Sequence, residues 1–296
     1  MAQKPLTADS VNGTNVIQLT GFDVCCANNN VLPVVLVGLF TVSNGNSYVM
    51  NFDINDIGQG YPPNHPSAGN IAFDPTTGRA AVTAPDGFAT NFMNAGAWYL
   101  YDQGKGFFVE EDISTVTPPP PPATSITNRA LSGTITPQIG APFQLSSISG
   151  NVVVAFGGAS SPHVPDAILG MSITSPTANG VGGLGSYSAL GDLTALFSDV
   201  QGTGIPPRDY GFQATGKIGF IDPQGAPAGS ELAIGRGVLT LPGALLGNFF
   251  SPNTNYQASF YMIAPNQFVG IATGNLAPQS FGLVPPYTGV IFFDPW

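Results

Sequence analysis

Glycine and proline set the first limit on what this chain can fold into. Together they make up 66 of its 296 residues, 38 glycines and 28 prolines. Both residues interrupt regular structure, proline by removing a backbone donor and glycine by its conformational entropy. A chain punctuated this often reads as many short strands joined by turns rather than as long helices. Hydrophobic residues reach 43%, enough to fill one large β core or two domains of ordinary size.

Charge is the second constraint. Asp, Glu, Lys and Arg together are 8% of the chain, against about 25% in an average soluble domain, so surface polarity must come from Asn, Ser, Thr and Gln. The net charge is −10, and the seven basic residues, Lys4, Arg79, Lys105, Arg129, Arg208, Lys217 and Arg236, are scattered singly. Such a pattern offers no footprint for a phosphate backbone, which argues against nucleic acid as a partner, and no polybasic patch for an anionic membrane surface. The leading expectation is a structural or interaction protein, and because little charge must be desolvated when copies pack together, association with itself as a homo-oligomer or filament is a hypothesis within that reading.

No stretch approaches 18 uninterrupted apolar residues. The greasiest run, 31–42, contains Pro33 and Gly38 and reads as a buried strand, not a transmembrane segment. Met1-Ala2-Gln3-Lys4-Pro5 has no apolar leader core and resembles a mature start left by signal-peptide removal, with a methionine added, so a secreted or cell-surface location is expected.

Five consecutive prolines, 118–122, lie among Thr, Ser and Ala and favour an extended spacer. They divide the chain into a first module, 1–115, a linker, 116–128, and a second module, 129–296, with a Gly-rich insertion around 180–185. The expected fold class is therefore all-β, two antiparallel β-barrel-like or sandwich modules joined by a proline-rich linker.

The two sides share an order of elements. A Gly78-Arg79 strand is followed by a hairpin around Trp98-Tyr99-Leu100-Tyr101, turning at Asp102-Gln103-Gly104-Lys105. A Gly235-Arg236 strand is followed by a hairpin around Phe260-Tyr261-Met262, turning at Ala264-Pro265-Asn266-Gln267. Asn44-Gly45 is the strongest short-range turn signal, between Leu39 and Phe52. A matching strand-turn-strand is expected from Phe143 to Phe156 through Ser149-Gly150-Asn151. Leu190, Leu193, Leu196 and Phe197 fall on one helical face, which predicts a short helix over 188–197.

Gly21-Phe22-Asp23, Gly45-Asn46, Asp53-Ile54-Asn55-Asp56, Asp74-Pro75-Thr76-Thr77-Gly78-Arg79 and Trp98-Tyr99 resemble a repeat common in large secreted proteins of Acidobacteria. The likeness covers most of both halves, although the second lacks the Gly-Phe-Asp and Asp-x-Asn-Asp pieces. It implies an exported β-barrel scaffold and carries no catalytic residues with it.

Candidates for chemistry are few, and none makes the chain read as an enzyme. His65 and His163 are the only histidines. Ser160-Ser161-Pro162-His163-Val164-Pro165-Asp166 gathers hydroxyls, an imidazole and a carboxylate, the weakest reading being a hydrolase using His163 and Asp166. It lacks the Gly-x-Ser-x-Gly elbow that presents a serine nucleophile. Glu110-Glu111-Asp112 reads as a solvated strand end, and the Gly-rich run lacks the strand and helix a phosphate loop needs. Asp53, Asn55 and Asp56 cluster oxygen ligands, either for calcium or for an Asx-turn; no other cofactor is implied. Cys25 and Cys26 are neighbours that either close a vicinal disulfide or remain two thiols. Tyr61, Tyr101, Tyr187, Tyr210 and Tyr287 stand near turns or loops and are the candidate contacts for an envelope glycan or a small apolar ligand, the alternative to self-assembly.

Overall fold

The computed structural model describes residues 5–25, 30–56, 65–83, 95–111, 128–148, 152–161, 164–173, 177–178, 184–195, 208–220, 234–242, 255–273 and 288–295. Strands dominate. By internal packing the chain divides into two compact units, residues 1–53 with 64–138, and residues 54–63 with 139–296.

The first unit holds a closed barrel of eight antiparallel strands in sequence order: β1 (Gly13–Cys25), β2 (Asn30–Ser43), β3 (Ser47–Asp56), β4 (His65–Asp74), β5 (Arg79–Thr83), β6 (Ala95–Asp102), β7 (Lys105–Glu110) and β8 (Asn128–Pro137). Closure comes from β8 pairing with both β7 and β1, with Leu19 opposite Gly133 and Gly106 opposite Ile135. Closure removes the exposed strand edges that would otherwise invite pairing with other chains.

That closure corrects the expected domain division. The residues carrying the proline run lie outside the described residues, but the strands on either side of them, β7 and β8, pair with each other within the first barrel. The proline run therefore connects two neighbouring strands of one barrel, and β8 belongs with the first compact unit, which runs on to residue 138.

The barrel is filled by aromatic rings set over glycines. Trp98, Phe40, Phe52 and Phe108 are fully buried, with Trp98 edge-on to Phe40 at 5.9 Å and Tyr48 at 4.9 Å from Phe40. A Cβ at Gly96 would run into the Phe108 ring, one at Gly69 into Tyr48, and one at Gly106 into the Trp98 indole. An eight-stranded interior is just wide enough for side chains to fill, so large rings need small residues beside them. This accounts for glycine inside strands, where propensity alone disfavours it.

Turn chemistry follows the sequence closely. Asn44 and Gly45 both adopt positive φ, 54° and 67°, as the type I′ hairpin requires. The Asp74 carboxylate accepts from the Thr76 amide and the Thr77 hydroxyl, both at 2.8 Å, and these bonds, the Thr77 hydroxyl foremost, hold its pKa below the ordinary value. Gly78, at φ 71°, then lets the chain enter β5.

The second unit contains β9 (Val152–Ser161), β10 (Val164–Ile173), β11 (Thr177–Ala178), β12 (Leu184–Ala195), β13 (Arg208–Gly219), β14 (Arg236–Pro242), β15 (Asn255–Ala264), β16 (Gln267–Thr273) and β17 (Thr288–Pro295). They form one sheet in the order β10-β9-β17-β16-β15-β14-β13-β12-β11, and β10 also pairs with β12. Each strand from β12 to β16 pairs with its successor, and β17 returns to β9.

Two local expectations fail here. The segment 188–197 is strand as far as Ala195, because β12 pairs on one side with β10 and on the other with β13 along its described length. A short apolar run does not separate strand from helix by periodicity, and the pairing partners decide. The expected strand-turn-strand from Phe143 to Phe156 is also absent in its first arm. Leu145–Ser147 is a 3-10 turn, with Phe143 and Ile148 buried beside it.

The 3-10 turn has a counterpart at Ala8–Val11 in the first unit. There the Ser10 carbonyl accepts from Gly104 N at 2.8 Å, in the β6–β7 turn; in the second unit the Ser147 carbonyl accepts from Asn266 N at 2.8 Å, in the β15–β16 turn. Gly104 and Asn266 both have positive φ, 66° and 60°. Leu100 N donates to the Gly78 carbonyl at 2.9 Å, and Met262 N to the Gly235 carbonyl at 2.8 Å.

Candidate interaction surface

Strand alternation sends Trp98 and Phe108 into the first barrel and their neighbours outward. Tyr99, Tyr101, Phe107 and Val109 stand on the outer face of the β6–β7 hairpin, exposed by 44%, 50%, 57% and 42%. Tyr99 is directly opposite Phe107 across the ladder, and the Tyr101 ring lies 5.4 Å from that of Phe107, where a register shift follows Leu100. β8 extends the face with the exposed hydroxyls of Thr134, opposite Phe107, and Ser132, opposite Val109.

Arg79 borders this face on β5, opposite Tyr99. Its guanidinium meets the Glu111 carboxylate at 2.6 Å, with the two side chains 36% and 39% exposed. The Glu111 bond first, then one to Tyr99, raises the Arg79 pKa above its ordinary value. An ion pair this exposed adds little to stability, and it lies at the rim of the apolar face.

At the corresponding places in the second unit, Arg236 is opposite Tyr261 and Tyr261 is opposite Val269. Arg236, Tyr261, Val269 and Ile271 are all buried. Arg236 Nε donates to the Tyr261 hydroxyl at 3.2 Å, and the guanidinium carbon lies 5.9 Å from the ring centroid. The same face is thus open in one unit and covered in the other.

Of the tyrosines singled out in the sequence, Tyr101 lies on the exposed face. Tyr187 does not serve as a surface contact. It is 2% exposed, its ring lies against Gly216, and its hydroxyl donates to the Thr240 carbonyl at 2.7 Å. Tyr48 holds a matching position over Gly69 in the first unit. Tyr61 and Tyr287 lie outside the described residues, as does the side chain of Tyr210 on β13.

Burial raises the pKa of both Tyr187 and Tyr48. The native state therefore holds these phenolic protons more tightly than the unfolded chain does. Their contribution is complete below the unfolded value of about 10 and falls as pH climbs through it towards the native values. Urea unfolding is expected to show stability declining above about pH 10, with a shallower decline in Tyr187→Phe. At neutral pH that variant is expected to lose about 1 kcal/mol with its hydrogen bond.

The run Asp53-Ile54-Asn55-Asp56 is strand, not turn, since β3 continues to Asp56. Asp53 is buried and Asn55 half-buried, while the Asp56 side chain lies outside the described residues. Among the described residues no group of three His, Cys, Asp or Glu side chains converges to hold a metal. Cys25 ends β1 and Cys26 lies outside the described residues; His163 also lies outside them, as does the side chain of Asp166 on β10.

Tyr99, Phe107, Val109 and Arg79 were not singled out from sequence as contact residues. Their signal was present. Aromatic residues at consecutive positions, Trp98-Tyr99 and Phe107-Phe108, cannot all point into one barrel, so some must face out. Among the described residues no helix is long and apolar enough to cross a membrane. No protein-family model matches the chain, and no curated protein resembles it significantly.

Proposed function

We propose that this protein is a non-enzymatic structural and interaction protein, secreted or displayed at the cell surface, that works by associating with copies of itself. The observation that carries the reading is the open face of Tyr99, Tyr101, Phe107 and Val109 on a barrel with no free strand edge. Exposed apolar patches rimmed by polar groups mark contact sites. The low charge of the chain, 8%, makes such contact inexpensive to desolvate.

The matched Gly-Arg strands, the 3-10 turns tied to hairpin turns, and the Tyr48 and Tyr187 positions over glycines support reading the two units as copies of one barrel module. In the second, the β10–β12 pairing supports closure as well, with β11 continuing β10 along the same edge of β12. The export part of the reading draws on the resemblance of the Gly-Phe-Asp, Asp-Pro-x-x-Gly-Arg and Trp-Tyr motifs to secreted Acidobacteria repeats.

Light scattering and negative-stain electron microscopy over about two decades of concentration test the reading. Ordered oligomers or fibres are the expected result; a monomer at every concentration would overturn it. A glycan reading draws on the same face, since Tyr101 and Phe107 sit beside the hydroxyls of Ser132 and Thr134. Saturable glycan binding by the monomer, lost in Tyr101→Ala, would favour it instead.

A further inference from the structure

We infer that Asn44-Gly45, in the β2–β3 turn, is a latent self-modification site where the chain can deamidate through its own backbone, and that Asn12 guards it by holding the attacking nitrogen. The inference is independent of the self-association reading.

Asn followed by Gly is the pair most open to this chemistry, because glycine has no Cβ to keep its amide nitrogen away from the preceding side chain. The chain has three such pairs, Asn12-Gly13, Asn44-Gly45 and Asn179-Gly180, of which the last lies outside the described residues. At the turn, the Gly45 nitrogen would lose its proton and bond to Asn44 Cγ. The Cγ–Nδ2 bond breaks and ammonia leaves, taking up that proton. Water then opens the succinimide ring at either carbonyl, so the net change is amide and water to carboxylic acid and ammonia. One product, isoaspartate, routes the main chain through Cβ. That adds an atom to a turn whose two central residues both hold positive φ, 54° and 67°.

The two described pairs lie against each other. Asn12 Oδ1 accepts from Gly45 N at 2.6 Å, and Asn12 Nδ2 donates to Asp9 Oδ1 at 3.1 Å. Only this orientation of the amide serves, since the flipped one would set NH2 against N–H and oxygen against carboxylate. A hydrogen bond from the protonated Gly45 nitrogen disfavours loss of its proton. Gly45 is buried, with the Ala8 carbonyl oxygen 3.0 Å from where its Cβ would stand, whereas Asn44 is exposed. The side chain under attack is free to turn, and the nucleophile is not.

The 3-10 turn Ala8–Val11 sets Asn12 in place. Asn12 N donates to the Asp9 carbonyl at 3.2 Å, and the Ser10 carbonyl is tied to Gly104 N. The same contacts restrain Asn12 itself, because turning its Cγ towards Gly13 N breaks both of its side-chain bonds. Attack at Asn44 must wait for the Gly45 bond to open, so its rate follows the population of the opened turn.

Ageing the folded full chain in mildly alkaline buffer, with conversion at Asn44 followed by peptide mapping and mass spectrometry, tests the inference; a parallel sample in urea gives the unguarded rate. Circular dichroism and thermal melting establish that each variant is folded beforehand. Folded wild-type protein is expected to convert Asn44 more slowly than protein in urea. Asn12→Ala should raise the folded rate at least about fivefold, the effect of losing one hydrogen bond of ordinary strength, and leave the rate in urea unchanged. Asn12→Asp keeps an acceptor oxygen and should stay slow. Ser10→Ala, which removes the bond from Thr7 N to the Ser10 hydroxyl in the same turn but leaves Asn12, should also stay slow. If Asn12→Ala does not fold, Asn12→Ser, whose hydroxyl is too short to reach the Gly45 amide, carries the same expectation. Wild-type conversion as fast when folded as in urea, or a folded Asn12→Ala or Asn12→Ser as slow as wild type, overturns the guard. Ser10→Ala or Asn12→Asp reacting as fast as Asn12→Ala overturns it as well, by showing that a loosened turn suffices.

Discussion

Trp98→Ala is expected to lower the unfolding free energy by about 4 kcal/mol, within the range for emptying a buried aromatic site, as read from urea unfolding followed by far-UV circular dichroism. Trp98 is fully buried, edge-on to Phe40, and its indole fills the space over Gly106. Removing it leaves a cavity walled by strands of a closed barrel, which cannot collapse inward without breaking their ladders. Trp98→Phe is expected to cost less than about 1.5 kcal/mol. No acceptor among the described residues hydrogen-bonds the indole Nε1, so no such bond is lost, and the matching position in the second unit is Phe260. A Phe variant as unstable as the Ala variant would show that ring shape, not burial, holds the site.

Gly133→Ala is expected to cost about 3 kcal/mol, the upper part of the usual range for overpacking. Gly133 lies on β8 opposite Leu19, on the seam where β8 meets β1. A Cβ there would collide with the Gln18 carbonyl oxygen and lie 2.9 Å from the Leu19 Cα. Both are backbone atoms held by the ladder, so no side chain can rotate away to make room. Thr20→Ala, on the same strand but exposed, is expected to stay within about 0.5 kcal/mol. Chemical denaturation of the two variants side by side reads the difference. A Gly133→Ala protein as stable as wild type would mean that the seam can separate locally without loss.

Gly133 also illustrates how volume is shared between neighbouring strands. In the first unit Phe108 is opposite Gly133; in the second Gly270 is opposite Ile291 at the matching place. Large and small residues have exchanged strands. Packing sets the volume of the pair but not which strand supplies it.

Several features were legible before any coordinates. Asn44-Gly45 demanded a hairpin because few other residues accept two successive positive φ values, and it formed one. The hairpins turning at Gly104 and Asn266 formed for the same local reason. The paired Gly-Arg strands were legible as β5 and β14.

Other features depend on partners distant in sequence. Composition describes how stiff a segment is, and the proline run was read on that basis as a divider between modules. Whether β8 belongs to what precedes or follows it depends on β1, more than a hundred residues earlier in the chain. Tyr187 looked like a loop tyrosine, but its burial comes from the Gly216 backbone and the Thr240 carbonyl on two other strands. Leu190 and Leu193 fit a helix until β10 and β13 claimed their strand on both sides.

The sequence by itself determined the all-β class, the tight turns and the low content of charged residues, because these depend on backbone preference and composition within a few residues. Only the tertiary structure decided which strands close the first barrel, where one unit ends, and that Tyr99 and Phe107 lie open while Tyr261 and Val269 are covered. Pairing and burial are properties of residues brought together from far along the chain, and two hairpins of similar sequence acquire different surroundings only when the whole chain has folded.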